Sequence, residues 1–159
     1  MKYRIEEKKA IRLVGQKAFI SLDGGLDYRD IPKLWKDLPK ETFDELYALS
    51  DGEPTHVVGV FGEKHDNGFD YWIAATTTKP CPPQYEEVNI PAAKWAIFDV
   101  KGVMPSSIQG FFQRLYTDWF PAAEYERNWD VYEMEWFSDG DSDSEDYECA
   151  GWVPVFNKK

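Results

Sequence analysis

Apolar positions along the chain switch between two periods, and each switch marks an element. Over residues 3–20 the apolar Ile11, Leu13, Phe19 and Ile20 stand among charged neighbours as in extended structure, with Gly15 as a bend or bulge. This stretch is expected to form the first strand or strand pair. The period then lengthens: Ile31, Leu34, Trp35 and Leu38 follow helical spacing behind Asp30, a residue that can cap, and Pro32, tolerated in a first turn. A helix is expected over residues 30–38, interrupted by Pro39, with a second helical stretch over residues 43–49 and a loop over 50–54. Residues 56–62 and 69–78 are rich in β-branched and aromatic side chains and flank Asn67-Gly68, a hairpin signature.

The order then recurs. Strands are expected over residues 85–90 and 95–102, followed by a helix that Pro105, Ser106 and Ser107 open, with Ile108, Phe111, Phe112, Leu115 and Trp119 along one stripe. Residues 131–137 and 147–156 close the chain as a hairpin. What repeats is the order of elements rather than the residues, so the chain reads as one α+β domain over residues 1–159 with an internal duplication, approximately 1–80 and 81–159.

Composition narrows the function classes. The sequence is 43% apolar, yet no apolar run approaches the roughly 18 residues of a membrane span, and the charged start Met1-Lys2-Tyr3-Arg4 does not resemble a signal peptide. No membrane association and a cytoplasmic location are expected. Cys81 and Cys149 form no metal or disulfide framework and read as free thiols. With 18 Lys and Arg against 29 Asp and Glu, the formal charge of −11 disfavours direct nucleic-acid binding and concentrates cations near the surface. The acidic loop over residues 138–146 fails as a calcium loop: with Asp139 as its first position, Ser144 stands where Gly is needed and Ala150 where Glu is needed. His56 and His65 lie away from any metal-ligand spacing and read as structural or surface residues. No metal and no cofactor are expected, and no nucleophile elbow, phosphate loop or dinucleotide fingerprint is present.

Six short motifs occur in an order that resembles the GyrI-like effector-binding domain of AraC-type and MerR-type regulators. They are Tyr3 to Lys8 with Val14-Gly15, Ile31-Pro32 with Leu34-Trp35, His56 to Val60, Asp70-Tyr71, Ile90-Pro91-Ala92 with Trp95 to Phe98, and Trp152 to Val155. The resemblance spans nearly the whole chain. It implies two strand-helix-strand-strand modules in a pseudo-twofold arrangement with a central ligand groove, where an internal glutamate among aromatics traps lipophilic cations. The DNA-binding helices that such regulators carry N-terminally are expected to be missing here. Many relatives carry a glutamate after the cysteine near the end, whereas this chain has Ala150 after Cys149.

Glu133 and Glu135 stand two apart, so on a strand both would face one side while Tyr132, Met134 and Trp136 face the other. A carboxylate buried among aromatics costs several kcal/mol by order of magnitude unless a cation or hydrogen bonds compensate it. Either residue fits the family's glutamate, and the choice stays open. Trp35, Phe111 and Phe112 lie on helical stripes and read as core. Tyr71, Trp95, Tyr116, Trp119 and Trp152, together with Glu133 and Glu135, form the expected ligand-binding set. The expected partner is a hydrophobic small molecule, cationic or planar and aromatic. Two alternatives stand beside binding: hydrolysis of strained cyclopropane-type genotoxins with Glu133 or Glu135 as general base, and an acidic protein-interaction or inhibitor role.

Overall fold

The opening β-rich stretch forms two strands, β1 (Tyr3–Lys8) and β2 (Ile11–Ser21), that take different partners. β1 pairs antiparallel with β6 (Ala93–Lys101), setting Tyr3 opposite Phe98, whereas β2 lies between β4 (Gly68–Thr76) and β5 (Glu86–Ile90). The computed structural model describes residues 1–23 and 30–159, and these divide into one unit of residues 11–90 and another of residues 1–10 with 91–159.

In the unit of residues 11–90, β3 (Val58–His65) completes an antiparallel sheet in the order β5-β2-β4-β3. Two helices, α1 (Asp30–Asp37) and α2 (Lys40–Leu49), connect β2 to β3. Pro39 separates them, its extended ψ of 139° placing it before α2 rather than inside a continuous helix. The helices cover one sheet face: Leu46 is buried with Val14, Tyr71, Ile73 and Ala75, and Ile31, Leu34, Trp35 and Leu38 pack against that cluster. The sheet needs Gly15, because a Cβ there would sit 2.1 Å from the Ile73 carbonyl oxygen. The turn before Gly68 joins β3 and β4 as the hairpin signature implies, with a bulge between Phe61 and Lys64.

The second unit repeats this element order. Its sheet runs β1-β6-β9-β8, with β9 (Glu148–Asn157) also pairing β7 (Tyr125–Arg127), and β8 covers Met134–Phe137. α3 (Ser106–Arg114) follows β6 and runs into a π-helical turn, Leu115–Trp119, and a short α turn, Phe120–Ala122. In the π turn the Phe120 N–H reaches back to the Leu115 carbonyl. The wider turn has a local cause: in a regular α-helix the Pro121 ring would press on the Thr117 carbonyl.

Alternation along the strands fixes which side chains meet α3. Ala96, Phe98 and Val100 of β6 and Cys149, Val153 and Val155 of β9 pack with Ile108, Phe111 and Leu115. Gly151 shares their face and gives Phe111 its place, since a Cβ there would lie 2.3 Å from the Phe111 ring. Trp95, Ile97 and Trp152 therefore point to the opposite face. Each unit is thus α+β, with helices on one face of an antiparallel sheet, and among the described residues no helix is long and apolar enough to cross a membrane.

One expectation needs correction. The closing hairpin's first strand starts at Met134, not Val131, so Glu133 lies outside it. A turn occupies this segment: the Asn128 side chain accepts the Asp130 N–H and the Arg127 guanidinium donates to the carbonyls of Asn128 and Val131. Those side chains satisfy the backbone that a longer strand would have paired. Residues 125–127, unassigned by the periodicity, form β7.

Candidate functional site

Glu133 and Glu135 have different surroundings. Glu135 stands opposite Gly151 in the β8–β9 ladder, so its side chain shares the α3-facing side of the sheet with Phe98 and Phe111, and it is 4% exposed. Its charge also acts on Cys149: burial pushes that thiol up to about 12, opposed by a hydrogen bond with Ser107 and reinforced by the Glu135 carboxylate. Glu133 belongs to a polar cluster nearer the surface of the unit. Its Oε2 accepts a hydrogen bond from the Tyr116 hydroxyl at 2.9 Å and lies 3.4 Å from Arg127 Nε.

The side chains of Arg127 and Glu133 are only 8% and 13% exposed, so this ion pair is largely shielded from water. Arg127 Nε also donates to the Tyr116 hydroxyl at 3.3 Å. Desolvation raises the Tyr116 phenol above its ordinary range and the Glu133 charge raises it further, while Arg127 opposes both. The phenol is therefore a neutral donor at physiological pH. Trp129 covers the group: its ring is stacked with Tyr116 at 6.1 Å, the Arg127 guanidinium lies 4.9 Å from the ring centroid, and the residue is 64% exposed. Arg127 and Trp129 were not picked out by the sequence pattern, because the turn after β7 that presents them has no periodicity.

The remaining expected ligand residues lie elsewhere. Trp95 and Trp152 meet edge to face at 5.7 Å on the sheet side away from α3, are 0% and 5% exposed, and Lys8 stands over the Trp152 ring. Trp119 packs in an aromatic cluster with Tyr3, Phe98, Phe120 and Tyr125. Tyr71 belongs to the other unit, where its hydroxyl accepts a hydrogen bond from Trp35 Nε1 at 2.8 Å. There it borders a cleft of about 430 Å³ whose wall includes Lys17, Phe19, Lys33, Leu34 and Ile73. The structure thus brings Tyr116 and Glu133 together, in the unit that also holds Glu135, Trp95, Trp119 and Trp152, and sets Tyr71 in the other unit.

Two strand-helix-strand-strand units, each an antiparallel sheet with helices on one face, give the chain a GyrI-like fold. The chain belongs to the Cass2 family of integron-associated effector binding proteins, whose profile matches residues 4–155. No curated protein matches the sequence. The fold is similar to that of SAV2435, solved bound to tetraphenylphosphonium, with a TM-score of 0.85 at 21% identity over 98% of this chain and 94% of that one. The C-terminal domain of EcmrR is similar with a TM-score of 0.69 at 16% identity, each chain 98% covered. The integron cassette protein VCH_CASS2 of Vibrio cholerae gives 0.57 at 14% identity over 97% and 95%. At these identities the likeness to the solved structures is one of fold.

Proposed function

We propose that this protein binds hydrophobic small molecules that are cationic or planar and aromatic, and that Glu135 supplies the charge that attracts the cation. The observation that carries this reading is the burial of Glu135, 4% exposed on the sheet face that also bears Phe98 and that Phe111 of α3 covers. A carboxylate shielded from water acts on a nearby cation more strongly than one at the surface, and aromatic rings add attraction through their faces. Glu133 is the weaker candidate, since it is the less buried of the two. Membership in an effector-binding family supports a ligand-binding role, and the tetraphenylphosphonium held by SAV2435 is a lipophilic cation of the proposed kind.

The test is a titration with tetraphenylphosphonium followed through the fluorescence of the seven tryptophans, with neutral triphenylphosphine oxide as control. The expected result is saturable quenching by the cation, weaker binding of the neutral compound, and an affinity loss of about tenfold or more in Glu135→Gln, corresponding to about 1.4 kcal/mol. Glu133→Gln is expected to change affinity less. Equal affinity in wild type and Glu135→Gln, or no saturation with either compound, would overturn the proposal.

A further inference from the structure

The hairpin of β3 and β4 brings together three side chains that the sequence spacing leaves apart. Glu63 and His65 stand two apart on β3, so both project to one side, and Asp70 comes from β4. His65 is paired with Gly68, and Asp70, two residues further along, shares that face. The bulge between Phe61 and Lys64 sets Gly62 and Glu63 against Asp70 alone, which turns the Glu63 carboxylate toward it. One imidazole nitrogen and two carboxylate oxygens consequently lie within 4.8 Å of one another.

We propose that Glu63, His65 and Asp70 form a binding site for a borderline divalent cation of the Zn²⁺ class, separate from the effector site. The donor set selects the metal: an imidazole with two carboxylates suits Zn²⁺ and its neighbours, whereas Ca²⁺ and Mg²⁺ favour all-oxygen shells. The geometry is close to what the metal needs. His65 Nε2 and Asp70 Oδ2 are 3.2 Å apart. Two ligands on a tetrahedral Zn²⁺ with bonds near 2.0–2.1 Å are separated by about 3.3–3.4 Å.

The surroundings hold this pair in place. Phe19, opposite Asp70 in the β2–β4 ladder, packs against the His65 ring with centroids 5.9 Å apart. The Phe19 ring also covers Gly68, where a Cβ would come within 2.6 Å of it. The Asp70 side chain is only 15% exposed, while that of His65 is 41% exposed, which leaves a side open for entry. Three protein ligands would leave the remaining coordination position to water or another donor. The chain's charge of −11 raises the local concentration of any cation.

The experiment is a calorimetric titration of the full chain, cleared of metal with a chelator, against zinc chloride, with Co²⁺ absorption as a second readout of coordination. The expected result is one equivalent bound, and at least about tenfold weaker binding in His65→Gln and in Asp70→Asn. Binding of magnesium chloride under the same conditions is expected to be much weaker. Because His56 and His65 are the two histidines of the chain, imidazole NMR of the wild-type protein reads the site without any variant: Zn²⁺ is expected to shift His65 and leave His56 in place. Zinc binding undiminished in His65→Gln would assign the ion to the diffuse acidic surface and overturn the proposal, as would a spectrum in which His65 does not move. Tetraphenylphosphonium affinity is expected to be the same with and without zinc, so the outcome is independent of the effector site.

Discussion

The Tyr116 hydroxyl donates a hydrogen bond to Glu133 Oε2 at 2.9 Å, and Arg127 Nε approaches both oxygens, at 3.3 Å and 3.4 Å. Arg127 thus has a charge partner and a neutral phenol on one edge, the carbonyls of Asn128 and Val131 on another, and the Trp129 ring across its face. This arrangement organises the turn between β7 and β8 that carries Glu133.

Removing the carboxylate leaves a shielded guanidinium without its counter-charge, so Glu133→Ala is expected to destabilise the protein by about 3 kcal/mol. Tyr116→Phe removes one hydrogen bond and is expected to cost about 1 kcal/mol. Because both changes act on Arg127, their effects should not add. Urea unfolding of the two single variants and the double variant checks both values and their coupling, and strict additivity would show that the cluster does not act as a unit.

Two glycines answer to different neighbours. At Gly151 an added methyl group meets the Phe111 ring, which can shift within α3's packing, and Gly151→Ala is expected to cost about 1–3 kcal/mol. At Gly15 the methyl group meets the backbone of Ile73 and Ala74, which the β2–β4 pairing holds in place. Gly15→Ala should therefore be the more damaging of the two, measured as the larger drop in thermal midpoint.

Cys149 is buried and its thiol is pushed up to about 12, so it is expected to resist alkylation at neutral pH while the partly exposed Cys81 reacts. Mass spectrometry of iodoacetamide-treated protein before and after denaturation checks the order of labelling. The same shift has a consequence for stability. The folded thiol keeps its proton where the unfolded thiol, near 9.0, has lost it, so stability falls as pH rises from about 9 toward 12. Tyr85, raised from 10.0 to about 12 by burial and then by its hydrogen bond to Glu45, adds to the loss over the upper part of that window. Denaturation midpoints that held steady across this range would contradict the assignment.

Local signals in the sequence located most elements, and long-range pairing accounts for most of the differences. The Asn67-Gly68 turn, the Pro39 break and the stripe of Ile108, Phe111 and Leu115 each depend on chemistry within a few residues, and each is present in the structure. The partner of β1 depends on residues beyond 90, which periodicity does not report. The acidic pair was legible as a pair, but its division was not: Glu135 is buried by a strand register, whereas Glu133 is held by Arg127 from a turn. Trp95 and Trp152 were legible as amphipathic rings, which serve pockets and cores alike. Their position on the sheet face away from α3 follows from alternation once the strands are known.

The pairing of β1 also sets an order of events at the ribosome. Tyr3 lies opposite Phe98, so β1 has its hydrogen-bonding edge unfilled until residues 93–98 have been made. At 5–20 residues per second that delay is roughly 5–20 s. Residues 11–90 are complete before then and can take up their own sheet, whereas the unit that contains β1 closes only once the C-terminal strands arrive.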